Sequence, residues 1–351
     1  MLEKIKEQNV WDCLQQTNLP VVMYGMGDGA LKIFKVFEQY GIQVEAMFAS
    51  DEFVRGHSFQ GYLVQKYSDI CRQYPEFHTV MAFAIHDDPT LERLFQMNQE
   101  HPIVAPDVPV AGDGLFTREY IAEHEAEFDQ VYDLLADETS KKTYLDILNF
   151  KVSGKIEYLY QCRSEKPEVY TNLLKPNDQE IFVDLGAYDG DTIAEFLQFV
   201  SDYQHIYALE PDAKNFKKLE KNTVHLERIT RYNMAAWNQT DTLYFSKKAG
   251  RNSRLSNKGV EIPADSVDHL IQQPVSILKM DIEGTESKAL EGAKKTIQQY
   301  RPKLYVCAYH RNEDLFALPL QIMDLCPDYK IYLRHHPYIP AWETNFYCIP
   351  K

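Results

Sequence analysis

Twice in this chain a short apolar run ends in a group of glycines and passes directly into a stretch with helical spacing, and this pairing constrains the fold more than any other feature. In the first unit Leu19 to Tyr24 is followed by Gly25, Gly27 and Gly29 and then by the amphipathic stretch Leu31 to Tyr40. In the second, Glu180 to Leu185 is followed by Gly186 and Gly190 and then by Ile193 to Val200. A strand that turns through glycines into a helix leaves backbone N–H groups and the positive end of the helix facing one crevice, a geometry suited to a nucleotide-sized ligand. At 351 residues the chain has room for two such cores.

The first unit continues with strand candidates Val44 to Phe48, Thr79 to Ile85 and Pro102 to Ala105, and Asp51 follows the glycines at about the 20-residue interval of a dinucleotide-binding unit. From Thr117 to Cys162 the pattern is helical, with Tyr120, Phe128, Val131, Leu134, Leu135, Tyr144, Ile147 and Leu148 on an apolar face. The second unit adds His205 to Pro211, Ile229 to Met234, Ser276 to Asp281, Lys303 to Tyr309, Lys330 to Arg334 and Asn345 to Ile349, the last two read as a terminal antiparallel pair. The expectation is an α/β chain divided into a smaller α/β domain at 1–115, a helical bridge at 116–175 and a second α/β domain at 176–351.

Charge and hydropathy narrow the partners. Lys plus Arg is 37 against 52 Asp plus Glu, a net charge of −15, which opposes broad contact with a nucleic-acid backbone. The apolar runs are far shorter than the ~20 residues a membrane span needs, and the N-terminus has no continuous apolar segment of the secretory type, so the expectation is a cytoplasmic protein with no membrane contact. The six cysteines are far apart, without a C-x-x-C pair, and read as reduced structural thiols. Self-association into a homo-oligomer stays open.

Asp184 ends a buried strand before the second glycine turn, and Glu210 ends its neighbour about twenty residues beyond, where a carboxylate can accept hydrogen bonds from both hydroxyls of a ribose. The turn lacks the Gly-Lys-Ser/Thr of a phosphate loop, and its carboxylates would repel a pyrophosphate. A cationic, phosphate-free nucleoside such as S-adenosylmethionine suits these walls better.

Residues 180 to 350 resemble the FkbM family of S-adenosylmethionine-dependent methyltransferases, through VDLGAYDGDT at 183–192, ALEPD at 208–212, NMAAW at 233–237, SVDHL at 266–270, LKMDIEGTESKALEGA at 278–293 and YHRNEDL at 309–315. The resemblance implies a Rossmann-like methyltransferase domain, with a seven-stranded, mostly parallel sheet ending in an antiparallel pair and the cofactor over the carboxyl ends of the central strands. Carried over, Asp184, Gly186, Ala187, Asp189 and Thr192 would surround the methionine part, Glu210 would hold the ribose, and the loop with Asn233 and Ala235 would lie along the adenine. Residues 18 to 105 resemble the small Rossmann-like nucleotide-binding units found before some methyltransferase domains, with Gly25, Gly27, Gly29 and Asp51 lining the crevice.

Methyl transfer to oxygen needs an aligned acceptor and, usually, a base. Asp281 follows a central strand at the same sheet edge as Asp184 and Glu210; His310 follows the next strand, with Asp314 one helical turn later, and these three are the catalytic candidates. His310 with nearby carboxylates could also hold a divalent ion, but no spacing fixes a metal site. Arg251 and Arg254, in the basic segment 247–258, and His335 are candidates for binding the acceptor. The function expected is an O-methyltransferase acting on a hydroxyl of a saccharide, a sugar nucleotide or a secondary metabolite. The alternatives are a noncatalytic nucleotide-binding protein and an NAD-dependent oxidoreductase using the first glycine turn.

Overall fold

The computed structural model describes residues 1–246, 254–255 and 259–351, with the backbone alone at 245–246 and 254–255. A six-stranded sheet is built from β1 (Val21–Tyr24), β2 (Ala46–Ala49), β3 (Ser58–Phe59), β4 (Tyr62–Lys66), β5 (His78–Met81) and β6 (Ile103–Val104), in the order β3-β4-β2-β1-β5-β6. Its pairings are parallel except for the β3–β4 hairpin, which the sequence pattern did not disclose. β1 and β2 are buried at every position, so both carry continuous apolar runs.

Two glycines of the first turn, Gly25 and Gly29, serve the chain's own packing. A Cβ on Gly25, where φ is +103°, would lie 2.4 Å from the Phe83 ring, and one on Gly29 would lie 2.3 Å from the Ala82 carbonyl oxygen. Asp51 faces Lys66 across 3.9 Å.

Helices Arg118–Glu123, Glu125–Leu134, Glu138–Ser153 and Glu157–Cys162 follow, as the apolar spacing predicts. The third is buried along most of its length. Asp137 caps its N-terminus by accepting from the Ser140 N–H, and Gly154 closes its C-terminus in the left-handed region.

The larger sheet contains β7 (Ile181–Leu185), β8 (His205–Leu209), β9 (Ile229–Tyr232), β14 (Ile277–Met280), β15 (Lys303–Cys307), β16 (Tyr329–His335) and β17 (Thr344–Pro350), in the order β16-β17-β15-β14-β7-β8-β9. The final two strands pair antiparallel, as the sequence suggests, but β17 inserts between β15 and β16. Burial explains the placement: Phe346, Tyr347 and Cys348 are shielded on both faces, whereas the half-buried β9 forms the opposite edge. A four-stranded sheet of β10 (Ala235–Ala236), β11 (Asp241–Ser246), β12 (Arg254–Leu255) and β13 (Val260–Asp265), which the apolar pattern did not reveal, lies between β9 and β14 in sequence.

One apolar core runs from Val22 and Phe48 under the first sheet, through Tyr144 and Phe150 of the long helix, to Leu185, Met280 and Phe346 of the larger sheet. The two sheets are also stitched by backbone: Ile85 and Ile339 exchange hydrogen bonds of 2.8 and 2.9 Å. All six cysteines are free thiols. Among the described residues, no helix is long and apolar enough to cross a membrane.

Candidate active site

A cavity of about 590 Å³ opens over the carboxyl ends of β7, β8, β14 and β15, within the range typical of small-molecule sites. Its lining joins residues of the larger sheet to His86, Asp88 and Val110 from the first part of the chain and to Glu165, Lys166 and Pro167 from the connector.

The floor is set by close approach of β7 and β14. Gly186 has φ of +80°, and a Cβ there would stand 1.8 Å from the Asp281 carbonyl oxygen, so no side chain fits at this turn. Below the turn Asp184 is fully buried and ion-paired with Lys279, Oδ1 to Nζ 3.0 Å. Lys279 also donates to the Gly186 carbonyl and lines the cavity. Burial disfavours its charge, but Asp184 and Asp281 outweigh burial and keep the ammonium protonated. Asp184, expected around the ligand, is therefore the counter-ion beneath the floor; Lys279 is the group that faces inward.

At the end of β8, Glu210 lines the cavity with both oxygens anchored: Oε2 accepts from the Tyr188 N–H at 2.9 Å and Oε1 from the Asp212 N–H at 2.8 Å. Burial pushes its carboxyl up to about 7, the two N–H groups opposing the shift. Gly186, Thr192 and Ala235 also line the cavity. Ala187, Asp189 and Asn233 are not among its lining residues. Ala187 is fully buried with its N–H on Leu209, Asp189 accepts from Asn222 through its carbonyl, and Asn233 donates to the carbonyls of Glu210 and Pro211, pinning the loop after β8.

Beyond β14 a histidine is enclosed by carboxylates. His310, 1% exposed, has Nδ1 at 2.9 Å from Glu286 Oε1, with Nε2 at 3.4 Å from Asp281 Oδ1 and 4.0 Å from Glu283 Oε2. Burial alone would lower its pKa; Glu286, then Asp281 and Glu283, raise it to about 10, so the ring is an imidazolium near neutral pH. Asp281 lines the cavity and accepts from the Tyr309 hydroxyl at 2.9 Å. Burial opposes its charge, yet Lys279 and His310 hold its pKa below the ordinary value. Asp281, Glu286 and His310 bring side-chain N and O atoms within 4.8 Å of one another; with both ring nitrogens protonated His310 is a donor to the two carboxylates, and it would ligate a cation only after losing a proton. Asp314 accepts from the Arg311 N–H at 2.8 Å; burial and then Glu286 push its carboxyl up to about 8. It is buried and outside the cavity lining.

Three non-glycine residues of the lining, Tyr188, Glu283 and Glu343, have positive φ (46°, 57° and 64°), placing local backbone strain at this cavity. Lys166 bridges Glu195 at 3.0 Å and Glu343 at 3.4 Å along its rim.

Of the acceptor candidates, His335 is buried away from the cavity and its Nδ1 meets Thr344, 3.1 Å away; the neighbouring His336 lines the cavity instead. Arg251 lies outside the described residues, and Arg254 is described only as backbone of β12. Lys279 and Tyr309 were not among the sequence candidates, and of the carboxylates in the DIEGTE run after a central strand the sequence reading took Asp281 alone, leaving Glu283 and Glu286 without a role.

Comparison with one solved structure agrees with this architecture over nearly the whole chain. The crystal structure of methyltransferase FkbM from Methylobacillus flagellatus KT is similar over 99% of this chain and 92% of its own, with 22% identity and a TM-score of 0.71. An rRNA methylase from Streptococcus thermophilus aligns over 52% of this chain and 92% of its own, at 15% identity and a TM-score of 0.36. Aeropyrum pernix fibrillarin in complex with natively bound S-adenosyl-L-methionine aligns over 49% of this chain and 67% of its own, at 13% identity and a TM-score of 0.33. Comparison with curated proteins gives no match. The family model described as the methyltransferase FkbM domain matches residues 184–338. With the seven-stranded sheet and its cavity, that match makes this part of the chain a methyltransferase domain of the FkbM family.

Proposed function

We propose that the chain is an S-adenosylmethionine-dependent O-methyltransferase acting on a hydroxyl of a saccharide or secondary metabolite. The observation that carries the reading is Glu210: a carboxylate at the end of β8, fixed by two backbone N–H groups and lining the cavity, with lone pairs left for a ribose diol. The lining fits that cofactor in charge as well, since its many carboxylates favour a sulfonium and an amine. When bound, S-adenosylmethionine supplies a methyl group already activated by the sulfonium.

The chain's own residues then align the acceptor. Asp281, kept ionised by Lys279 and His310 and oriented by the Tyr309 hydroxyl, accepts a hydrogen bond from the acceptor hydroxyl and receives its proton. A carboxylate of low basicity suffices, because the hydroxyl becomes strongly acidic as its oxygen forms the new bond to carbon. His310 keeps its proton and holds Asp281, Glu283 and Glu286 together, a positioning task rather than that of a base.

Calorimetric titration with S-adenosylhomocysteine tests the reading. Binding weakened at least about tenfold in Glu210→Ala is the expected result, in line with loss of charged hydrogen bonds. Absence of binding by the folded protein, or equal affinity in the variant, refutes it.

A further inference from the structure

The lining of the same cavity includes an aromatic wall to which both parts of the chain contribute. His86 stacks on Tyr338, with centroids 5.5 Å apart and planes at 14°, and Tyr338 meets Trp342 at 5.7 Å and 35°. All three line the cavity. Their relative placement is set by backbone, because Ile85 and Ile339, each adjacent in sequence to one of the stacked rings, exchange the hydrogen bonds that join the two sheets.

The charges around this wall are one-sided. Among the described residues the lining holds nine carboxylates and two lysines, with no arginine. Neither lysine is available to a ligand phosphate: Lys279 is paired with Asp184, and Lys166 with Glu195 and Glu343. A phosphorylated acceptor would meet uncompensated negative charge. Asp88 and Glu165, both exposed and both in the lining, instead offer oxygens to hydroxyl or ammonium donors. The aromatic faces suit the C–H face of a sugar ring, and equally an amine on that ring.

We infer that the acceptor is an unphosphorylated glycosyl ring, neutral or amine-bearing, stacked on the wall of His86, Tyr338 and Trp342, with His86 a specificity-determining residue lent by the first part of the chain. The inference rests on the methyl-transfer reading and adds to it a class of acceptor. Nucleotide-linked sugars, admitted by the sequence, are excluded by it.

The test uses the full chain, with release of S-adenosylhomocysteine measured against methyl glycosides, methyl aminoglycosides and the matching UDP-sugars. The expected result is transfer to the unphosphorylated rings and not to the UDP-sugars. In His86→Ala and Trp342→Ala, KM should rise about tenfold or more with kcat within about threefold, a pattern of lost binding held in common by ground and transition states. His86→Phe, which keeps a stacking ring, should restore KM. Preference for a UDP-sugar, or an unchanged KM in both alanine variants, overturns the inference. No transfer to any glycoside by protein that binds S-adenosylhomocysteine overturns the acceptor class and spares the donor site; failure to bind it at all removes the reading beneath both.

Discussion

Lys279 of β14 reaches across the sheet to Asp184 of β7, Nζ to Oδ1 3.0 Å, and both side chains are almost wholly withdrawn from water. The register puts these two residues side by side on neighbouring parallel strands, so the pair is a product of strand order. It leaves Asp184 neutralised beneath the floor and makes Lys279 the only lysine of the larger sheet that lines the cavity among the described residues.

Removing one member of this pair strands the other. Lys279→Met should cost about 3–5 kcal/mol of stability, the usual consequence of leaving a buried charge alone. Lys279→Met combined with Asp184→Asn should recover part of that loss, because the stranded carboxylate is gone. Urea unfolding of the single and double variants reads both. A single-variant loss within about 0.5 kcal/mol, typical of surface substitutions, would contradict the buried pair.

If Glu210 holds the ribose as proposed, cofactor affinity is tied to pH. Its carboxyl is pushed up to about 7 by burial, and only the ionised form offers both oxygens as acceptors to a diol. Affinity for S-adenosylhomocysteine should therefore hold above pH 7 and weaken below it, approaching about tenfold per pH unit. Glu210→Gln should bind more weakly at pH 8 and lose this dependence. Calorimetry between pH 5.5 and 8.5 decides; a flat wild-type profile would show that Glu210 does not carry the linkage.

Much of this site was legible because single strands carry it. Gly186, Glu210 and Asp281 each end an apolar run at the same sheet edge, and parallel strands bring such ends together. Asp184 was placed at the right edge but the wrong depth, since Lys279 within an apolar strand reads as noise until β14 is laid beside β7. The contact of His86 with Tyr338 joins distant parts of the chain and leaves no local pattern. Nor could spacing show that β17 lies between β15 and β16, because insertion and a plain terminal hairpin have the same sequence.

The enclosure of His310 predicts a pH–rate profile. With its pKa at about 10 the ring is charged throughout the neutral range, so turnover at saturating donor should show no rise between pH 6 and 8 owed to His310, and should fall as pH approaches 10. His310→Gln should bind S-adenosylhomocysteine normally and turn over slowly, without that alkaline fall. A rise near pH 6.5 that vanishes in His310→Gln would instead make the histidine the base.

His336 supplies a stability switch that is visible only as a difference. Its Nδ1–H donates to the Ser164 carbonyl at 2.7 Å and its Nε2 accepts from the Tyr347 hydroxyl at 2.7 Å, a neutral ring with both nitrogens engaged. Burial drives its pKa down to about 3, far below the ordinary histidine value. A depressed folded pKa means that the unfolded chain takes up the proton first: stability is fully present above about pH 6.5 and is lost as pH falls toward 3, at up to about 1.4 kcal/mol per pH unit. Glu210 and Asp314 act in the opposite sense over part of this window, because their carboxyls are raised to about 7 and about 8 and take up protons in the folded state. The total pH profile therefore mixes both signs. In His336→Gln the histidine contribution is absent: the variant should be less stable than the parent at pH 8, through loss of the two hydrogen bonds, and the gap should narrow steadily below pH 6.5. Urea unfolding of both proteins at pH 8, 6 and 5 measures the gap, and a gap that stays constant or widens would mean that His336 is not held neutral in the fold.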